Sequence, residues 1–161
     1  MKKQVTCTKR YDDFPAAHRQ PNHDGHCALI HGHNWSFEFE FVASALDECG
    51  FVVDFGKLKW LKDELSVMFD HTLLLNETDP KRGVIEAALA SFGIHNVVVV
   101  PDCSCEGLAQ LLIERITRRL AGVWFGGRAV AVKRVTVFED GKNSATVDTV
   151  RDLAAETGGA E

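Results

Sequence analysis

Apolar and polar residues alternate strictly between residues 34 and 41 of this chain. Every second residue is aromatic, and these residues share one face of an extended strand: Trp35, Phe37, Phe39 and Phe41. Polar residues take most of the opposite face, as in a half-buried β-strand. The pattern therefore predicts a strand that starts near His31, runs to about Ala45 and presents its aromatic face to the core.

Three further stretches predict strands of the same sheet. Residues 3–19 alternate moderately, and Pro15 near their end favours an edge or a bulge. Residues 129–138 and 145–150 are rich in β-branched residues. The segment Asp140-Gly141-Lys142-Asn143 between them is typical of a hairpin turn.

Apolar residues at helical spacing predict two long helices between the two strand pairs. The first covers roughly residues 56–70 with Asp54 as its N-cap, and the second runs from Ser104 to Gly122. Residues 76–101 look like an insertion with a short helix over 84–92 and a small extra strand over 97–100. The order β-β-α-α-β-β predicts an α+β fold: a four-stranded antiparallel sheet with both long helices on one face. Its two open edges predict self-association.

Composition limits the function classes. The chain has 161 residues and a net charge of -5, which gives no general attraction to nucleic acid or to an anionic membrane. No apolar run is long enough to span a bilayer, and no signal peptide follows the basic start. We expect one domain over residues 1–150, with a flexible tail over 151–161. Five scattered cysteines indicate free thiols in a reducing cytosol, so a cytoplasmic location is expected.

Histidines at the start of the second strand suggest a metal site. His31 and His33 point to the same side of a strand, and an antiparallel neighbour can bring His18 beside them. Three imidazoles without a fourth protein ligand would leave a coordination position open, as in catalytic zinc sites. The alternatives are a buried, hydrogen-bonded His18, or ligands from His23 and His26 in the intervening loop.

Other side chains could add proton transfer and substrate binding. Cys27 near a metal could act as a thiolate base, and Asp70 could orient His71 as a proton shuttle. Glu139 at a strand end could accept two hydrogen bonds from a planar ring edge. The simpler alternatives are an inert buried thiol for Cys27, a rim carboxylate for Glu139 and a helix-dipole partner for Glu106.

Together these motifs resemble the 6-pyruvoyltetrahydropterin synthase and 6-carboxytetrahydropterin synthase family. The similarity covers most of residues 3–150 and rests on six segments in the family's order: Phe14-Pro15-Ala16-Ala17-His18, Cys27-x-x-x-His31-Gly32-His33-Asn34, Asp54-Phe55-Gly56-Lys57-Leu58, Phe69-Asp70-His71, Ser104-Cys105-Glu106 and Val137-Phe138-Glu139. The chain departs from the family at Cys103-Ser104-Cys105 before the glutamate and at Asp140 after Glu139.

The resemblance implies the tunnelling fold, in which subunits form trimeric barrels and two trimers stack into a hexamer. It implies a zinc ion bound by His18, His31 and His33. It implies Cys27 as the proton acceptor, with Asp70 and His71 as its relay partners. It also implies that Glu139 is the carboxylate that holds the pterin and that Glu106 lies near the pterin.

The implied substrate is 7,8-dihydroneopterin triphosphate. We expect a lyase that makes 6-carboxy-5,6,7,8-tetrahydropterin and releases triphosphate and acetaldehyde. By family analogy, this reaction supplies a precursor of 7-deazaguanines such as queuosine. The alternatives are the 6-pyruvoyl product without carbon loss, hydrolysis of a purine or pterin triphosphate, and a non-catalytic pterin- or purine-binding module. Lys57, Lys59 and Arg19, from the same or a neighbouring subunit, are candidates for binding the triphosphate, and the sequence does not select among them.

Overall fold

Six strands form one mixed sheet in the computed structural model, which describes residues 4–149. The strands are β1 (Thr6–His18), β2 (His31–Ala43), β3 (Thr72–Asn76), β4 (Val97–Val100), β5 (Val130–Phe138) and β6 (Ser144–Asp148). Their spatial order is β4-β3-β1-β2-β5-β6. The pairs β1/β2, β2/β5 and β5/β6 are antiparallel, whereas β3 lies parallel to β1 and β4 parallel to β3.

The predicted four-stranded antiparallel sheet is therefore wrong in strand number and in direction. The sequence predicts the strand over 97–100 but not the strand Thr72–Asn76. Leu74 and Leu75 are both fully buried, so β3 shows no alternation that would mark it as a strand. Together β3 and β4 extend the sheet beyond the edge that β1 would otherwise form.

A bulge in β1 decides which side chains face the core. The pairing of β1 with β2 shifts between Tyr11 and Phe14, and Asp13 in the bulge has a φ of 69°. The extra residue changes the parity of the strand, because the buried face carries Tyr11 before the bulge but Phe14, Ala16 and His18 after it. His18 thereby reaches the same side of the sheet as the aromatic residues of β2.

Three helices complete the described fold: α1 (Lys59–Phe69), α2 (Arg82–Ser91) and α3 (Cys105–Ala121). The Asp54 side chain accepts the Gly56 N–H in a short 3₁₀ turn, Phe55–Leu58, that leads into α1. Ser104 caps α3 by accepting the Gly107 N–H, as predicted. α1 packs on β1 and β3, and α3 packs on β5 and β6, so one core lies between these helices and the sheet.

The segment 76–101 contains α2 and β4, and α2 buries none of its side chains completely. Within residues 4–149, no helix combines the length and hydropathy that a bilayer crossing needs. The single domain over 1–150 stays a prediction, and the predicted tail over 151–161 lies outside the described residues.

The aromatic face of β2 should dominate stability. Phe37 is fully buried and its ring lies 5.4 Å from that of Phe14 and 4.5 Å from that of Phe69. We expect Phe37→Ala to lower the free energy of unfolding by about 3–5 kcal/mol in urea titrations, because it removes contacts and leaves a cavity. Glu38→Ala, on the opposite face, should change it by only about 0.5 kcal/mol. Equal losses in the two variants would contradict the assigned core face.

Candidate metal centre and active-site cavity

Pairing of β1 with β2 brings three histidines together. His18 lies directly opposite His31, and Ala16 lies opposite His33. The ring centroids of His18 are 4.5 Å from His31 and 5.2 Å from His33, and those of His31 and His33 are 5.0 Å apart. His18 is almost completely buried, with its ring edge-on to Trp35. The three predicted ligands therefore meet at one end of the sheet.

The hydrogen bonds of these rings determine which nitrogen is free. His18 Nδ1 lies 2.8 Å from the Cys103 carbonyl oxygen, and His31 Nδ1 lies 2.8 Å from the Leu29 carbonyl oxygen. A carbonyl oxygen only accepts, so each Nδ1 must carry the proton and each neutral ring keeps its lone pair on Nε2. This arrangement, with Nδ1–H bound to a carbonyl, is typical of histidines that bind metals through Nε2.

The two Nε2 atoms face each other, at 3.1 Å. Two lone pairs at this distance repel unless a proton or a cation lies with them. Burial lowers the pKa of His18, which disfavours the imidazolium form. His33 Nε2 is buried and has no hydrogen-bond partner within residues 4–149. The donor set therefore fits a divalent cation better than it fits a hydrogen-bonded core.

Glu139 joins this cluster. Its Oε1 lies 3.3 Å from His18 Nε2 and 3.3 Å from His33 Nε2, and the possible ligand atoms of all four residues lie within 4.8 Å of one another. The sequence placed Glu139 at a hairpin but not beside the histidines. Its proximity follows from the pairing of β5 with β2, in which Phe138 lies opposite Ser36.

A cavity of about 470 Å³ opens beside the cluster. It is lined by His18, His31 and Glu139 from the cluster and by Cys27 and Glu106. Cys27 lies in a short 3₁₀ turn, His26–Ala28, and Glu106 in the first turn of α3. The cavity thus collects all but three of the predicted site residues around one space.

Asp70 and His71 do not line this cavity. Their side chains bond to each other at 2.6 Å, but that of His71 is 81% exposed. His71 lines a different, more open depression, together with Pro15, Asn34 and His33. His71 has a φ of 57°, a strained value for a non-glycine residue. Within one chain this pair does not reach the cavity that holds Cys27.

Several cavity residues were not predicted as site residues. Gln20, Lys142, Asn143 and Ser144 line it, as does His23, which the sequence offered only as an alternative metal ligand. The side-chain nitrogen of Gln20 is buried without a hydrogen-bond partner among the described residues. They come from two loops that are brought together only by the sheet, and such loops carry no periodic signal. The only signal in the sequence that could have indicated these loops as part of the site is their high content of polar residues.

The basic residues proposed for the triphosphate do not line the cavity within one chain. Arg19 is only 11% exposed and faces Asp79, with Arg19 Nε 3.3 Å from Asp79 Oδ2, so it is not available. Lys57 and Lys59 are absent from the cavity lining. Among the described residues that line the cavity, Lys142 is the only lysine or arginine.

Curated proteins similar to this chain carry one name. A 6-carboxy-5,6,7,8-tetrahydropterin synthase of Rickettsia typhi is 39% identical over 80 residues, which cover 49% of this chain and 57% of the relative. A putative enzyme of that name from Archaeoglobus fulgidus is 44% identical over 61 residues, 38% of this chain and 51% of the relative. The chain thus matches only about half the length of these relatives.

Solved structures agree in fold. An uncharacterized protein from Wolinella succinogenes superposes with a TM-score of 0.77 at 20% identity, over 92% of this chain and 99% of that one. The 6-pyruvoyltetrahydropterin synthase of Plasmodium vivax, as a catalytic-residue mutant, gives 0.60 at 19% identity over 90% and 98%. At these identities the likeness shows the tunnelling fold and nothing more.

The model of the 6-pyruvoyl tetrahydropterin synthase family matches residues 6–150, which include β1 through β6 and every residue of the cluster and the cavity. On that match, this chain belongs to the 6-pyruvoyl tetrahydropterin synthase family.

Proposed function

We propose that this protein converts 7,8-dihydroneopterin triphosphate to 6-carboxy-5,6,7,8-tetrahydropterin, with release of triphosphate and acetaldehyde. The main support is the convergence of three histidine Nε2 atoms and one carboxylate beside a cavity that also contains a cysteine. The shared name of the curated relatives favours the 6-carboxy product over the 6-pyruvoyl product.

In this proposal His18, His31 and His33 hold one zinc ion through Nε2. A bound zinc ion would act as a Lewis acid on the hydroxyl oxygens of the substrate side chain. The chain contributes the orientation of the ligands, because Nδ1 of His18 and of His31 is tied to backbone carbonyls. Trp35, edge-on to His18, excludes water from the back of the site.

Cys27 is the proposed proton acceptor. It is half-buried and lines the cavity, so its Sγ can meet substrate. The other two cysteines near the site are less suited, since burial raises the pKa of Cys103 and that of Cys105 to about 11. Both of those thiols donate to backbone carbonyls, Cys103 to Arg19 and Cys105 to Val137.

Glu139 and Glu106 are proposed to bind the pterin. A carboxylate can accept two N–H groups from the aminopyrimidine edge of the ring, which fixes its register. Glu139 is partly exposed to the cavity, whereas the neighbouring His18 is almost completely buried. That exposure favours a substrate contact for Glu139, and in this proposal the carboxylate is not a zinc ligand.

Asp70 and His71 are proposed to act across a subunit boundary. Within one chain their pair lies outside the cavity, yet it is exposed and ready to meet a neighbour. The outer strands β4 and β6 each leave one edge unpaired among the described residues, which suits a barrel-forming hexamer of two trimers. Asp70 would then orient a His71 that moves protons in the adjacent subunit's site.

Free cysteines, including exposed Cys49, suit a cytoplasmic location.

Cys27→Ala should lower turnover by about 100-fold or more while zinc stays bound, because it removes the base but no metal ligand. The measurement is mass spectrometry of the product from 7,8-dihydroneopterin triphosphate, with triphosphate and acetaldehyde assayed in parallel. Cys49→Ala, at an exposed cysteine outside the cavity, is the matched control and should leave turnover unchanged.

The same assay separates the alternatives. Parent-like turnover by Cys27→Ala would refute the assigned base. Triphosphate release without acetaldehyde would indicate the 6-pyruvoyl product, and a product that keeps its whole side chain would indicate a hydrolase. Tight pterin binding without any product would indicate a binding module.

Subunit mixing should restore activity to two inactive variants. If Cys27 and His71 of one site come from different subunits, dissociating and reassociating an equimolar mixture of Cys27→Ala and His71→Ala should recover roughly a quarter of parent activity, as random assembly requires. Cys27→Ala mixed with Glu139→Gln should stay inactive, because these two residues line the same cavity of one chain. Failure of the first mixture, with oligomers formed, would place the relay within one chain.

A further inference from the structure

The backbone around Cys103 connects the proposed zinc ligand His18 to a residue outside the cavity lining. The Cys103 carbonyl accepts the His18 Nδ1–H at 2.8 Å. The Cys103 N–H donates to Asn76 Oδ1 at 2.7 Å, in a buried setting. Both polar groups that flank this Cα are thus engaged, one by the ligand and one by Asn76.

The residue after His18 is held by the same region. The Cys103 thiol donates to the Arg19 carbonyl at 3.0 Å. The Arg19 guanidinium faces Asp79, whose side chain has no exposed surface, with Nε 3.3 Å from Oδ2. Neither of these two buried atoms has a hydrogen-bond partner among the described residues, so the ion pair is their compensation.

Asn76 and Asp79 come from one turn. Asn76 is the last residue of β3, and its carbonyl accepts the Asp79 N–H at 3.0 Å. Asp79 Oδ1 accepts the Lys81 N–H at 2.8 Å, which fixes the carboxylate while Oδ2 faces Arg19. The Glu77 N–H donates to the Val100 carbonyl at 2.8 Å, so this turn is bound to the strand that leads to Cys103.

We propose that Asn76 and Asp79 are positioning residues for the metal centre: they hold the Cys103 carbonyl and Arg19 so that His18 presents Nε2 to the ion. This inference rests on the proposed metal site. It gives the segment 76–101 a function at its first residues, although no residue of the helix that follows lines the cavity. Asn76 and Asp79 do not line the cavity either.

The proposed role of Asn76 follows from the position of its Oδ1, which accepts the Cys103 N–H. Without Asn76 Oδ1, the Cys103 N–H loses its buried acceptor and the local backbone relaxes to find another. The carbonyl on the other side of the same Cα then no longer holds the His18 ring at its present angle. Loss of an outer partner of a ligand typically weakens metal binding by about 10- to 100-fold.

The test compares zinc affinities of apo-protein variants, measured by competition with a chromogenic chelator at fixed pH. Asn76→Leu keeps the approximate shape of the side chain but has no acceptor, and it should weaken zinc binding by about 10-fold or more. Asn76→Asp restores an oxygen acceptor and should remain within about threefold of the parent. The absorption spectrum of bound Co²⁺ should change in Asn76→Leu and not in Asn76→Asp.

Thr72→Val is the matched control for a purely structural effect. Thr72 is a buried polar residue on the same strand, and its hydroxyl donates to the Met68 carbonyl at 2.8 Å rather than to a backbone group that holds a proposed metal ligand. Its loss should lower the melting temperature without changing zinc affinity. Folded Asn76→Leu with parent-like zinc affinity, or Thr72→Val with an equal loss of affinity, would overturn the proposal.

Two further outcomes have a different meaning from those of the comparison with Thr72→Val. If the parent protein binds no zinc, the metal site itself is refuted, whatever the variants do. If Asn76→Leu does not fold, Asp79→Asn decides, because it keeps the shape and the Oδ1 acceptor but removes the charge facing Arg19. It should weaken zinc binding several-fold, and parent-like affinity in that variant would refute the role of the turn.

Discussion

The site depends on the hydrogen bonds that two histidines make from Nδ1 to backbone carbonyls. These bonds fix the tautomer, so each Nε2 keeps a lone pair that points at its neighbour. Buried lone pairs that face one another without a donor repel each other, and a cation bound between them would turn this repulsion into attraction. The geometry of the backbone at Leu29 and Cys103 is therefore as much a part of the centre as the imidazoles are.

Sheet geometry supplies the rest. The bulge at Asp13 changes the parity of β1, and without it His18 would face away from His31 and His33. The pairing of β5 with β2 adds Glu139, and the capped start of α3 adds Glu106. Four separate segments thus converge at the end of a rigid sheet, which is better suited than a flexible loop to hold ligands in place.

The sequence predicted the local features well. Alternation and capping signals located β1, β2, β5, β6 and α3, and the spacing of His31 and His33 on one strand predicted their shared face. It could not predict β3, whose consecutive buried leucines have no strand period. Nor could it predict the partners of Glu139 and Arg19, because these depend on contacts between residues far apart in the chain. Arg19 looked like a free cation in sequence, yet the fold buries it against Asp79.

The most direct test of this account is X-ray diffraction from zinc-soaked crystals, with anomalous data collected at the zinc edge. The account predicts one strong peak about 2.0–2.1 Å from Nε2 of each of His18, His31 and His33, with a fourth position not filled by protein. A zinc peak elsewhere, or a centre closed by four protein ligands including Glu139, would contradict it.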